Sequence, residues 1–364
     1  MGSHLFGKNI LCIRLDNMGD VLMCSPAIHA IKDSIAGCSV TMLVSSTGKA
    51  IASLIDSIDR LITYDAPWMK QTQAKPDPNV TLSTVKLLKN LNFDSAIIFT
   101  TYSQSALPAA LLCYLAGIRV RVGYCRENPY YLLTHWQAEE EPHQFIRHEV
   151  KRQIDLVDYY GCRTIEPRLR LSIKTPAACK ISLITKNFQS KWYVLHAGAS
   201  APSRCYPVHS YAKVVNLMRH KGWQTILTGS ENERDYVEQI NNSSGNTCIN
   251  LSGGLSVEEL CALIARSPFL LSNNTCPVHI ASAVGTPVVV LYALTNPQHC
   301  PWNVPSRVLF METDCGFCYK SICPKGHHQC LDSISPENIV TAIHDLLKES
   351  PPVLHITNLF QQNP

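Results

Sequence analysis

No apolar run in this chain approaches the roughly 20 residues that a bilayer-spanning helix needs. The longest candidate, Ala106 to Ala116, is about half that and reads as a buried helix. The opening Met1-Gly2-Ser3-His4 lacks the basic-then-apolar pattern of a secretory leader. Lys and Arg form no block, which speaks against nucleic acid as a partner. Charge is scarce overall: 16% of residues are charged against 46% hydrophobic, with a net charge of +4. That balance fits globular units with large cores and accommodates an anionic small-molecule partner without requiring one. Sixteen cysteines are too thinly spread over 364 residues to form a dense disulfide framework. Cys12, Cys113 and Cys261 fall inside apolar segments and read as reduced thiols used as small hydrophobes, as in a cytoplasmic protein.

What is present is a repeated rhythm. The length suits two domains of about 150–180 residues each. In the first half, Asn9–Leu15, Val40–Val44, Ser95–Phe99 and Val120–Tyr124 read as buried parallel strands. Asp16–Asp20 reads as a polar loop, and Ser25-Pro26 as a helix start. Glu149–Tyr160 reads as an amphipathic helix with Val150, Ile154, Val157 and Tyr160 on its apolar stripe. The rhythm lapses from about Thr164 to Lys191. It resumes with strands at Trp192–Leu195, Thr225–Thr228, Thr247–Leu251, Phe269–Ser272 and Val288–Tyr292. Helices alternate with these, among them Tyr211–Lys221, closed by Gly222 as a left-handed cap, and one opened by the capping box Ser256–Glu259. A last helix spans Pro336–Leu347. The expected fold is α/β, with two Rossmann-like domains facing a cleft, residues 1–170 and 171–348, and an irregular tail at 349–364.

Four segments fall at strand-to-helix turns, where parallel sheets bind ligands. In Arg14–Leu22, Gly19 allows a tight turn and Asp20 stands at a helix start, either as a cap or as a catalytic carboxylate. In His196–Arg204, Gly198 and Ser200 let backbone approach a phosphate, and Arg204 either pairs with that phosphate or faces solvent. In Thr228–Glu233, Glu233 either binds ribose hydroxyls or caps its helix. In Ser272–His279, the small polar residues Asn274, Thr275 and Cys276 open a helix. His279 lies one turn in, either packed or near a ligand.

Taken together and in this order, the segments resemble the ADP-heptose:lipopolysaccharide heptosyltransferases, glycosyltransferase family 9, over roughly residues 9–348. The shared marks are Gly19-Asp20 before Ser25-Pro26, and His196-Ala197-Gly198 followed by Arg204 and Tyr206-Pro207. Gly229 with Glu233, and Ser272–Ala281 followed by Gly285-Thr286-Pro287, complete the set. The chain departs from that pattern with Asn274 for Asp, Cys276 for Gly, Arg204 for Lys and Tyr206 for Trp. The resemblance implies a two-domain GT-B glycosyltransferase that transfers heptose, with inversion, from ADP-heptose to the lipopolysaccharide inner core or another glycan. It implies Asp20 as general base, and Arg204 with the Asn274–Cys276 amides as diphosphate ligands. Gly198, Ser200, Glu233 and His279 complete the donor site, without a catalytic metal. Arg119, Arg121 and Arg126 are candidate acceptor contacts, or else solvated. A glycolipid acceptor would bring the protein into peripheral contact with the inner membrane. Cys315, Cys318, Cys323 and Cys330 have spacing compatible with a structural zinc, the alternative being free thiols in a structural loop. Two other readings fit the scaffold: a nucleotide-sugar epimerase, or a non-catalytic sugar-nucleotide binder.

Overall fold

Fully buried apolar strands are the signature of a sheet covered on both faces. The computed structural model describes residues 5–70, 77–186, 188, 191–293, 297–316, 318 and 320–349. It divides into two compact units, Met1–Ser172 and Ile173–Pro364. The tail expected at 349–364 lies, beyond Glu349, outside the described residues.

The first unit holds β1 (Asn9–Arg14), β2 (Ser39–Val44), β3 (Arg60–Thr63), β4 (Ser95–Ile98), β5 (Val120–Cys125) and β6 (His135–Ala138). They form one sheet in the order β3-β2-β1-β4-β5-β6, and every pairing is parallel. The second unit holds β7 (Lys191–His196), β8 (Trp223–Thr228), β9 (Ile249–Asn250), β10 (Leu270–Asn273), β11 (Val288–Leu291) and β12 (Ser306–Leu309). Its order, β9-β8-β7-β10-β11-β12, repeats the first, again all parallel. This is the doubly wound α/β architecture expected from the strand–helix rhythm. Among the described residues, no helix is long and apolar enough to cross a membrane.

The strands legible in the sequence are the central ones. β4, β10 and β11 are buried throughout, whereas β3, β6 and β12 at the sheet edges are half-exposed and carry no continuous apolar run. Those three edge strands went unpredicted. Three further expectations need correction. Met18–Met23 is a helix rather than a loop, and Gly19 sits inside it without left-handed backbone. The stretch read as an irregular passage contains the helix Thr175–Thr185, with Pro176 in its first turn where a missing N–H costs nothing. The helix Glu149–Asp158 buries Glu149, Val150, Arg152, Gln153, Leu156 and Val157, so its inward face is rotated from the apolar stripe toward polar groups.

The caps follow the sequence. Gly222 has φ +81°, a conformation glycine adopts without a Cβ clash, after the helix Val208–His220. Ser256 and Glu259 form the reciprocal capping box on Val257–Arg266, with Glu259 Oε2 accepting from the Ser256 N–H at 2.9 Å. One face of the second sheet packs a core in which Tyr193 stacks on Phe269 at 4.8 Å. Truncating a buried leucine there, such as Leu271, would cost about 2–5 kcal/mol.

Candidate functional site

In each sheet the strand order reverses between two central strands, β1/β4 in the first and β7/β10 in the second. The loops leaving those strands diverge and open a crevice at their carboxyl ends. Both crevices carry the residues singled out in the sequence.

At the first, β1 ends on Arg14, whose side chain is fully buried. Three carboxylates surround its guanidinium. Asp16 Oδ2 lies 2.6 Å from Nε, Glu149 Oε1 2.8 Å from Nη1, and Asp20 Oδ1 3.3 Å from Nη2. A buried cation paired to carboxylates is stabilised by low dielectric and full pairing, and removing one partner of such a cluster costs about 3–5 kcal/mol. Asp20 stands in the first turn of Met18–Met23, whose N-cap is Asn17. Burial pushes the Asp16 carboxyl up, Arg14 pulls it back down, and Gln104 Nε2 donates to its Oδ1. A pocket of about 270 Å³ opens here, lined by Asp16, Trp68, Thr100, Ser103, Gln104 and Pro108 among others.

A second buried layer backs this cluster. Gln153 Nε2 donates to Glu149 Oε1 at 2.6 Å and to the Thr100 carbonyl at 3.1 Å, just past β4. Arg152 donates from Nε to the same carbonyl at 2.8 Å, pairs with Glu139 and Glu141, and lies 4.1 Å from the Tyr124 ring centroid. Of the three arginines considered as acceptor contacts, Arg121 is structural. It is buried, and its guanidinium donates to the carbonyls of Ile118, Tyr131 and Leu132, holding the loop before β6. Arg126 donates to the carbonyls of Tyr102 and Glu141 and lines a second pocket of about 150 Å³ with Ser103, Ser105 and Glu139. Arg119 is exposed.

The crevice of the second unit is built differently. β7 ends on His196, whose Nδ1 lies 3.0 Å from Thr228 Oγ1. Burial lowers the imidazole pKa, opposed by Glu233, so His196 is neutral at pH 7. Gly198 has the Glu233 carboxyl directly against it: a Cβ there would stand 2.1 Å from the carboxyl carbon. Gly198 thus permits the approach of Glu233. Glu233 does cap its turn, since Oε2 accepts from the Ser230 N–H at 2.7 Å and the Ser230 hydroxyl at 2.8 Å. Its Oε1 has no hydrogen-bond partner among the described residues.

Asn273, at the end of β10, ties the loops together. Its Oδ1 accepts from the Tyr211 hydroxyl at 2.8 Å and the Tyr206 N–H at 3.3 Å, and its Nδ2 donates to the Ala197 carbonyl at 2.5 Å. Asn274 is buried, with its N–H on the Leu291 carbonyl. The helix Cys276–Val284 follows, with extended Thr275 as N-cap making no side-chain cap hydrogen bond. His279 is buried in this helix, edge-on to His299 at 6.3 Å. Arg204 sits in the short turn Pro202–Arg204, and Ser200 is exposed. Arg204, Asn274, Cys300 and His299 all bear on the Tyr292 phenol, which burial keeps protonated. Tyr206 is fully buried, its hydroxyl on the Ile334 carbonyl at 2.5 Å, which makes it a packing residue.

The four loop thiols converge. Cys315, Cys318, Cys323 and Cys330 line one small cavity with His327 and His328, and Cys315 Sγ lies 3.6 Å from His327 Nε2. Among the described residues, however, no three His, Cys, Asp or Glu side chains stand together in an arrangement that would hold a metal ion.

Sequence reading brought forward Asp20, Gly198, Glu233 and the Asn274–His279 turn. It missed Arg14, Asp16, Glu149, Asn273 and Tyr292. Arg14 and Asp16 flank the Asp20 motif and were within reach. Glu149 and Asn273 act through partners 135 and 62 residues away, which no local pattern exposes.

Comparison with known proteins identifies the family and the fold. The sequence model of glycosyltransferase family 9 (heptosyltransferase) matches residues 81–328, a span that begins after the Asp20 segment. The lipopolysaccharide core heptosyltransferase OpsX of Haemophilus influenzae is 27% identical over 303 residues, covering 81% of this chain and 82% of that protein. Among solved structures, a family 9 glycosyltransferase from Veillonella parvula superposes with a TM-score of 0.80 at 19% identity, covering 96% of this chain and 99% of the other. The ADP-heptose lps heptosyltransferase II of Escherichia coli superposes with a TM-score of 0.73 at 20% identity, covering 94% and 99%. These structures share the GT-B type fold of two Rossmann-like units. With two thirds of its length matched by the family model, the chain belongs to glycosyltransferase family 9, the heptosyltransferases.

Proposed function

We propose that this protein moves heptose, with inversion, from ADP-heptose to a hydroxyl of the lipopolysaccharide inner core, acting on the cytoplasmic side of the inner membrane. The observation that carries the reading is the contrast between the two crevices. One holds a carboxylate fixed by a buried guanidinium; the other holds the Gly198 backbone against Glu233, whose Oε2 caps its own turn, and the Asn273–Asn274 end of β10 that leads into the helix Cys276–Val284. Residues 1–170 take the acceptor and 171–348 the donor.

In this reading Asp20 accepts the acceptor hydroxyl proton as the oxygen attacks the anomeric carbon. The bond from that carbon to the diphosphate oxygen breaks, and ADP leaves. One displacement inverts the centre. Arg14 fixes the orientation of Asp20, while Asp16 and Glu149 offset the charge of Arg14. Arg204 and the N–H groups opening Cys276–Val284 meet the negative charge developing on the diphosphate. Glu233 Oε1 accepts from the ribose hydroxyls while Oε2 stays on Ser230. Asn274, Thr275 and Cys276 shape the phosphate turn, and His279 supports it from within the helix. The relatives described as heptosyltransferases, one of them named for ADP-heptose, support the choice of donor.

Calorimetry with ADP, UDP, GDP and CDP tests the donor side. ADP is expected to bind most tightly. UDP or GDP binding at least about tenfold more tightly, a difference of about 1.4 kcal/mol, would refute ADP-heptose as donor.

A further inference from the structure

The helices Pro78–Asn90 and Leu107–Leu115 connect β3 to β4 and β4 to β5, and they pack beside each other on one face of the first sheet. Their inner sides, Leu88 and the Ala109–Cys113 stretch, enter the same core. Their outer sides are therefore neighbours, and those sides are unusual. Leu82, Leu87, Leu111, Tyr114 and Leu115 are 44–62% exposed, and Tyr131 beside them is 86% exposed. Arg121 joins the last two, with its guanidinium over the Tyr114 ring and its Nη2 on the Tyr131 carbonyl. Isolated exposed leucines are ordinary, but a contiguous apolar and aromatic face is not.

The charge on this face has one sign. Lys86 and Lys89 lie on the outer side of the first helix and Arg119 just past the second, all exposed, and neither helix contains Asp or Glu. The flanking carboxylates are engaged elsewhere. Asp77 caps the first helix through the Asn79 N–H, and Asp94 accepts from the N–H groups of Lys8 and Asn9.

We propose that this face rests on an anionic phospholipid bilayer, its leucines and tyrosines in the headgroup boundary and its three cations on lipid phosphates. Aromatic and aliphatic side chains mixed with Lys and Arg are the composition of interfacial membrane surfaces. A second copy of the chain is the poorer occupant, because a two-fold interface would set the three cations of one protomer against those of the other. The face is continuous with the first crevice, since Pro108 and Ala109, at the start of the second helix, also line the pocket beside Asp16. Bilayer binding itself does not rest on the proposed reaction. Only the further statement that a lipid-anchored acceptor reaches the pocket from this side does.

The full-length protein is sedimented with phosphatidylglycerol–phosphatidylcholine vesicles and with pure phosphatidylcholine vesicles. Binding to the first, weaker binding to the second, and loss of binding on adding salt are expected. Each unit of positive charge lost should weaken partitioning about fivefold and each Lys or Arg changed to Glu about 25-fold, so K86E/K89E/R119E should lose at least about 100-fold and up to roughly 10⁴-fold. L111S/Y114S/L115S should also release the protein. All six positions are exposed, and thermal melting checks that both variants stay folded; the single variant K86E, about 25-fold weaker, covers the case in which a triple variant does not. Parental binding by a folded variant, no preference for anionic vesicles, or a dimer in sedimentation equilibrium that K86E/K89E/R119E dissociates would each overturn the proposal.

Discussion

The two units share one strand order yet put opposite chemistry at the same topological place. At the end of β1, four ionisable side chains crowd together in the interior, one cation among three carboxylates. At the ends of β7, β10 and β11 the buried groups are neutral: His196, Asn273, Asn274 and Tyr292. The fold supplies a crevice in both cases, and the side chains decide whether charged or neutral groups line it. A site of the first kind needs pairing partners from distant elements, because a buried charge without them is unstable. A site of the second kind needs only small residues, backbone and a helix dipole, which local sequence provides.

Three experiments press on this contrast. The largest effect is expected at the first crevice. Asp20→Asn removes the proposed base with little change in shape, so turnover should fall about 10²–10⁴-fold while nucleotide affinity, assigned by the proposal to the other unit, stays within about twofold. Steady-state rates with a parallel donor titration measure both, and near-normal turnover would reduce Asp20 to a structural partner of Arg14.

At the second crevice, Gly198→Ala sets a methyl 2.1 Å from the Glu233 carboxyl carbon and must displace it. Losing a charge-assisted contact of about 1.5–3 kcal/mol predicts a drop of roughly 10–100-fold in ADP affinity, with kcat at saturating donor nearly retained. Unchanged affinity would mean that Glu233 acts as a cap alone.

The smallest effect is on stability against pH. The unfolded chain protonates His196 near its ordinary 6.5, while the folded chain resists doing so because the ring is buried. His196 therefore favours the folded state above that pH, and the advantage is lost as pH falls through the lowered folded pKa. His29, also lowered by burial, adds to the trend. Asp16, raised by burial, works in the opposite sense, favouring the folded state as its carboxyl takes up a proton. Tm should fall by a few degrees between about pH 8 and pH 5.5, and His196→Asn should flatten part of that fall. An identical slope in the variant would show that His196 titrates alike in both states.

The same contrast explains what the sequence revealed. Central strands announce themselves as unbroken apolar runs, and Gly222 and the Ser256–Glu259 pair mark helix ends through chemistry confined to a few neighbours. The helix Glu149–Asp158 was located correctly and Val150 and Val157 of its expected stripe are buried, but the buried face also takes in polar residues that the stripe left out. Its Arg152, Gln153 and Glu149 look like a solvated face until Arg14, Thr100, Glu139 and Glu141 are seen to pair with them. At the second crevice, Gly198 and Glu233 were both singled out, yet their contact with each other was not, because it spans two loops. Met18–Met23 was missed because a six-residue helix with Gly and Asp in its first turn has too little periodicity to register.

Asn273 joins the Ala197 carbonyl, the Tyr206 amide and the Tyr211 hydroxyl before any ligand arrives. Ordering a loop residue costs about 1–2 kcal/mol, and here that cost is met when the chain folds instead of when it binds. If this unit takes the nucleotide, as proposed, association there should be a docking onto a standing surface, fast and single-phased, without slow loop rearrangement. Anyone transplanting the three loops to alter donor choice would have to carry this one amide with them, since it is the part that makes them arrive already assembled.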